Sequence, residues 1–66
     1  MTPGLSANDV LQLPAAVDLP TAARALGIGR SKAYELAQSG DFPCRVIRIG
    51  RAYRVPTIEL RRVLGM

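Results

Sequence analysis

The side chains of this 66-residue chain that could do chemistry are mostly cations: eight arginines and one lysine, with no histidine and a single cysteine. Several fall in two groups. Arg30-Ser31-Lys32 puts two cations and a hydroxyl in three consecutive positions, and Arg48, Arg51 and Arg54 recur every third residue. Guanidinium groups suit bidentate contact with phosphate or guanine better than ammonium groups do. Catalysis is poorly served. Without histidine the commonest general base is missing, and neither Ser31 nor Thr57 has a group to activate it. One cysteine makes no internal disulfide, and no Cys/His zinc site is possible. Gly27-Ile28-Gly29 lacks the Gly-Lys-Ser/Thr ending of a phosphate-binding loop. The residues call for no enzyme, no metal and no cofactor. They point to a polyanion as partner.

The distribution of charge sharpens that reading. The net charge is +4 and the pI is about 10.2, yet residues 1–23 hold Asp9 and Asp18 with no cation and sum to −2. Residues 24–66 hold every basic residue against Glu35, Asp41 and Glu59 and sum to +6. Such concentration is the electrostatic footprint expected of a polyanion binder, with ordinary solvated surface charge as the alternative. With 48% hydrophobic residues the chain is too apolar for a disordered basic tail. Its length admits one small core. No apolar run approaches the roughly 20 residues that cross a bilayer, and Met1-Thr2-Pro3-Gly4 has no signal-peptide character, so no membrane and a cytoplasmic, nucleoid-associated location are expected.

The elements that must position these cations follow from spacing. Residues 1–5 read as a loose start. Ser6 to Leu13 can form one or two helical turns with Ser6 as N-cap, stopped by Pro14, so residues 1–14 are expected as a flexible leader or short helix. Residues 15–66 are expected as the folded domain. Its first helix runs Leu19–Leu26, with Asp18 as N-cap, Pro20 in the first turn and Gly27 closing it; Leu19, Ala22, Ala23 and Leu26 share one face. A second helix runs from Arg30 to Gln38 or Ser39 and is closed by Gly40, with Ala33, Leu36 and Ala37 inward and Ser31, Tyr34, Glu35 and Gln38 outward. Two helices of about eight residues joined by Gly-Ile-Gly describe a helix-turn-helix.

Asp41-Phe42-Pro43 is a loop with one aromatic anchor. The stretch Arg45–Val55 alternates with period two around Gly50 and predicts a β-hairpin. Side-chain parity favours a three-residue loop, Gly50-Arg51-Ala52, which pairs Ile49 with Tyr53, Arg48 with Arg54 and Ile47 with Val55. That register gathers the apolar residues on one face and the arginines on the other. A last helix starts with Pro56 at its first position, uses Ile58 or Thr57, Leu60, Val63 and Leu64 as its apolar side, and ends at Gly65. The expected fold is mainly α with a small β-hairpin, a winged helix-turn-helix.

On that framework the second helix is the candidate reader, through Arg30, Ser31, Lys32, Tyr34 and Gln38, with double-stranded DNA as the partner. Tyr34 has a second reading, as a residue packed against the hairpin, and Glu35 reads as a partner for Lys32. Arg48, Arg51 and Arg54 form the candidate second contact: like charges opposed on a short hairpin cost stability, and a DNA backbone or narrow minor groove compensates them. Tyr53 reads as core, and Cys44 as a small buried hydrophobe rather than a redox switch.

Three runs carry a family resemblance: Thr21-Ala-Ala-Arg-Ala-Leu-Gly-Ile-Gly-Arg-Ser-Lys-Ala-Tyr-Glu-Leu36, Ser39-Gly-Asp-Phe-Pro43, and Arg48-Ile-Gly-Arg-Ala-Tyr-Arg-Val-Pro56. Together, over about residues 17–65, they resemble the excisionase-type helix-turn-helix family of MerR-like winged-helix proteins, whose pattern is A-A-x-x-L-G, S-R-x-T-x-Y, G-x-h-P and R-h-G-x-x-Y/W-R-h-P. Gly29 departs from it, standing where the family usually has a Ser N-cap. The resemblance implies sequence-specific DNA binding by the second helix and the wing. It further implies a recombination directionality factor that works with an integrase or recombinase, or a small transcription regulator. Missing the long C-terminal helix of full MerR regulators, the chain is expected in one of those branches, bound as several copies of itself side by side. A non-DNA adaptor or RNA-binding module is the remaining class.

Overall fold

The computed structural model describes residues 4–66; the loose start expected over residues 1–5 lies largely outside them. Helix α1, Ala7–Leu11, forms because Ser6 and Asp9 make a reciprocal capping box. The Ser6 hydroxyl oxygen accepts from the Asp9 N–H and the Asp9 carboxylate accepts from the Ser6 N–H, each at 3.1 Å. The Ser6 N–H first, and the Ser6 side chain next, stabilise the ionised form and hold the Asp9 carboxyl below the usual carboxylate range. Val10 on this helix is buried.

Helices α2, Leu19–Leu26, and α3, Arg30–Ser39, have the bounds that spacing predicts. Gly27 and Gly40 terminate them at φ 73° and 80°, in the left-handed region that glycine enters without penalty. The small residues Ala22, Ala23 and Ala33 are buried at 1% exposure or less, which lets the two helices pack closely.

Asp18 caps α2 by accepting the Thr21 N–H at 2.9 Å. Its carboxyl is held below its ordinary value, chiefly by hydrogen bonds from Thr21, side chain then backbone, and further by the nearby cations Arg54 and Arg30. A depressed folded-state pKa adds stability that is present above the unfolded value, about 3.9, and lost as pH falls through the folded one. Asp18→Ala is therefore expected to destabilise the fold by about 1 kcal/mol at pH 7. Asp18→Asn keeps an equally good cap and costs less there. The gap between wild type and Asp18→Ala should narrow below about pH 4; urea unfolding at pH 7 and pH 3 checks it, and a gap that widens in acid would refute the assignment.

The hairpin departs from its expected register. Strands β1 (Ala16–Asp18), β2 (Ile47–Ile49) and β3 (Ala52–Pro56) form one antiparallel sheet in the order β1-β3-β2. Across the hairpin Ile49 pairs with Ala52, Arg48 with Tyr53 and Ile47 with Arg54. The loop is two residues, Gly50-Arg51, not three. Gly50 has φ 60°, and among the described residues no non-glycine has positive φ, the sign pattern of a type II′ turn with glycine at its first central position. A three-residue loop would have placed Ala52 in the left-handed region. The shift by one residue separates the arginines expected on a common face: Arg48 lies on the face of Tyr53, and Arg54 on the opposite face with Ile47. Ile47 and Ile49, expected in the core, are exposed. Strand β1, unforeseen in the sequence, adds Val17 opposite Val55 and Asp18 opposite Arg54.

The core joins Val17, Leu19, Ala22, Ala23, Ala33, Val55 and Leu60, with Leu26, Ile28, Phe42, Val46 and Tyr53 packed against it. Cys44 also packs there, and burial followed by the negative charge of Glu59 pushes its thiol pKa up. Helix α4, Thr57–Val63, starts one residue later than expected, because Pro56 is still paired with Ala16 and acts as N-cap. It is fixed by Leu60 and by Thr57, whose N–H donates to the Ala15 carbonyl at 2.8 Å and whose hydroxyl donates to the Pro14 carbonyl. Of the two alternatives Thr57, not Ile58, takes the inward position, while Val63 and Leu64 are exposed, against expectation. Among the described residues no helix is long and apolar enough to cross a membrane.

Candidate nucleic-acid interface

The first turn of α3 leaves its backbone donors open. Gly29 has no side chain to cap them, and the helical ladder begins with the Ala33 N–H donating to the Gly29 carbonyl at 3.0 Å. The N–H groups of Arg30, Ser31 and Lys32 thus project from a helix N-terminus that also carries two cationic side chains, a combination suited to phosphate. All three side chains are exposed. Lys32 reaches Glu35 at 3.8 Å, as the sequence spacing indicates, but both are largely solvated and the pair adds little stability. Gln38 is exposed one turn beyond Tyr34, in the last turn of the helix.

Tyr34 follows its second reading. It is half-buried and meets Tyr53 of the hairpin edge to face, ring centroids 6.0 Å apart at 66°. Tyr53 in turn lies under the Arg48 guanidinium, whose carbon is 5.9 Å from the ring centroid. Helix and hairpin are therefore joined by an aromatic pair with a cation on its outer side. Arg48 is held a second time, its Nε–H donating to the Gly50 carbonyl at 3.2 Å.

The remaining cations are arranged separately. Arg51 sits exposed at the turn. Arg54 donates from Nη1 to the Tyr53 carbonyl at 3.0 Å and stands across the sheet from Asp18. The positive charges of Arg54 and, less, Arg30 help to lower the pKa of the same carboxylate, so Asp18 feels a cation of the wing and one of α3. Sequence reasoning assigned Asp18 only its capping role. Its place beside Arg54 depends on strand β1, three residues with one buried side chain, too short for a period-two signal. Among the described residues only Lys32 and Arg62 pair with a carboxylate within 4 Å.

A helix-turn-helix whose second helix carries open donors and cations, flanked by an arginine-bearing hairpin, defines the DNA-binding winged helix-turn-helix class. Residues 17–65 match the family model described as a helix-turn-helix domain, and the chain belongs to that family. Neither curated proteins nor solved structures give a match.

Proposed function

We propose that the chain is a non-enzymatic, sequence-specific binder of double-stranded DNA that acts as an excisionase-type recombination directionality factor, several copies binding side by side and bending the site for an integrase. The observation that carries the DNA reading is the joining of two cation-bearing elements: the open first turn of α3 with Arg30, Ser31 and Lys32 is linked through the Tyr34–Tyr53 contact to a hairpin that carries Arg48 on one face, Arg54 on the other and Arg51 at its turn. Gln38 extends the helix surface. A domain of this size covers about 600–1,000 Å² of DNA and binds a single site weakly, so neighbouring copies supply affinity. The exposed Ile58, Val63 and Leu64 on and after α4 support such lateral contact. The resemblance of the wing and helix patterns to excisionase-type proteins supports the recombination role, and a small transcription regulator is the alternative within the same family.

Footprinting across the chain's own genomic locus tests the reading. Repeated protected sites with regularly spaced hypersensitive bands support a bent array at an attachment site. One operator overlapping a promoter supports the regulator instead, and no protection at any concentration refutes both. At the residue level, Arg54→Ala is expected to weaken all duplexes alike and to lower the salt slope by about one. Arg30→Ala and Lys32→Ala should instead change which duplex is preferred. A uniform loss in both would remove α3 as the reader.

A further inference from the structure

The register of the hairpin gives its three arginines unequal positions. Arg48 shares a face with Tyr53, and Tyr53 contacts Tyr34 on α3. Tyr34 stands three and four residues beyond Ser31 and Arg30, so it lies on the same side of the helix as the candidate reading turn. An unbroken path therefore runs from the Arg48 guanidinium through two rings to that side. Arg51 is at the turn and Arg54 faces the other way, across from Asp18 and Ile47.

Arg48 is also fixed in orientation. Its Nε–H is engaged with the Gly50 carbonyl and its guanidinium carbon stands over the Tyr53 ring, 5.9 Å from the centroid. Both Nη groups stay available, and these can donate together to the O6 and N7 of a guanine. A side chain already held in place gives up less conformational entropy on binding than a free one, and a fixed fork discriminates among bases better than a mobile charge. We propose that Arg48 is the specificity-determining residue of the wing, with Tyr53 as the positioning residue that locks it in register with α3, while Arg51 and Arg54 supply attraction that is indifferent to sequence. This rests on the reading that the chain binds duplex DNA.

The test uses the full chain. A duplex is enriched from a randomised pool by the wild-type protein, and its affinity is divided by that for a scrambled duplex of the same composition. Arg48→Ala is expected to lower this ratio about tenfold, and Arg48→Lys to do the same while keeping the wild-type salt slope, because lysine retains the charge without the planar fork. Arg51→Ala and Arg54→Ala should lower both affinities and leave the ratio within about twofold. Tyr53→Phe, which keeps the ring, should preserve the ratio. Tyr53→Leu should lose it, and adding Arg48→Ala to that variant should change nothing further. Tyr53→Leu counts only if its unfolding midpoint shows it folded; the two Arg48 variants and Tyr53→Phe decide the matter without it. An unchanged ratio in both Arg48 variants overturns the inference while leaving DNA binding intact. So does a loss of the ratio in Tyr53→Phe, or additive effects in a folded double variant. If the wild-type chain enriches no duplex, the DNA reading itself falls and this inference with it.

Discussion

Leu60→Ala is expected to leave much of the chain unfolded at 37 °C, with the urea midpoint falling by a third or more. Leu60 is fully buried and is the one leucine that α4 contributes to the core. The helix has no second apolar anchor of that kind, since Ile58 is 64% exposed and Val63 and Leu64 also face solvent. Truncating a buried leucine costs about 2–5 kcal/mol through lost transfer energy and the cavity left behind. A domain of this length has a total stability of roughly 3–10 kcal/mol, so one side chain removes a large share. Ile58→Ala supplies the internal comparison and should change the stability by less than about 0.5 kcal/mol. Circular dichroism during urea unfolding checks both. Similar midpoints for the two variants would mean that α4 is not held by Leu60.

The same helix shows where sequence reasoning ran short. Periodicity could not choose between Ile58 and Thr57 and put Val63 and Leu64 inward, whereas the inward face of α4 is fixed by Thr57, which binds carbonyls of Pro14 and Ala15 some 40 residues earlier. A polar residue chosen by a distant backbone leaves no trace in a hydrophobic pattern. Helices α2 and α3 were legible to the residue because their ends are written locally, by Asp18 at one N-cap and by glycines at Gly27 and Gly40.

The hairpin register was legible too, but through turn chemistry rather than parity. Gly50 followed by a non-glycine is the two-residue II′ signal, whereas a three-residue loop asks for left-handed backbone at Ala52. Parity misled because one face of this hairpin is exposed, so Ile47 and Ile49 could turn outward without leaving a core position empty. For the candidate site this means that the identities of the cations were readable from the sequence, while their grouping was not. Arg48 joins Tyr34 and Tyr53, and Arg54 joins Arg30 around Asp18, only once β1 and the true register are known.

Raising monovalent salt from 50 to 200 mM is expected to weaken duplex binding about a thousandfold. The candidate surfaces offer five cationic side chains, Arg30, Lys32, Arg48, Arg51 and Arg54, with the open N–H groups of α3 adding contacts of their own. About six phosphate contacts give a slope of log affinity against log salt near −5, because each neutralised phosphate releases condensed counterions at about −0.9 per contact on B-form DNA. Asp18 offsets part of this attraction, since it stands opposite Arg54 in the sheet and feels the charges of both Arg54 and Arg30. Asp18→Asn, which keeps the cap, should therefore raise affinity at low salt. Fluorescence anisotropy of a labelled duplex measures both effects. A single strand of the same length should follow a shallower slope, near −0.7 per contact, because its condensed counterions are fewer. Affinity that barely moves with salt would mean that these cations do not meet phosphate, and the interface would have to be sought on another face of the domain.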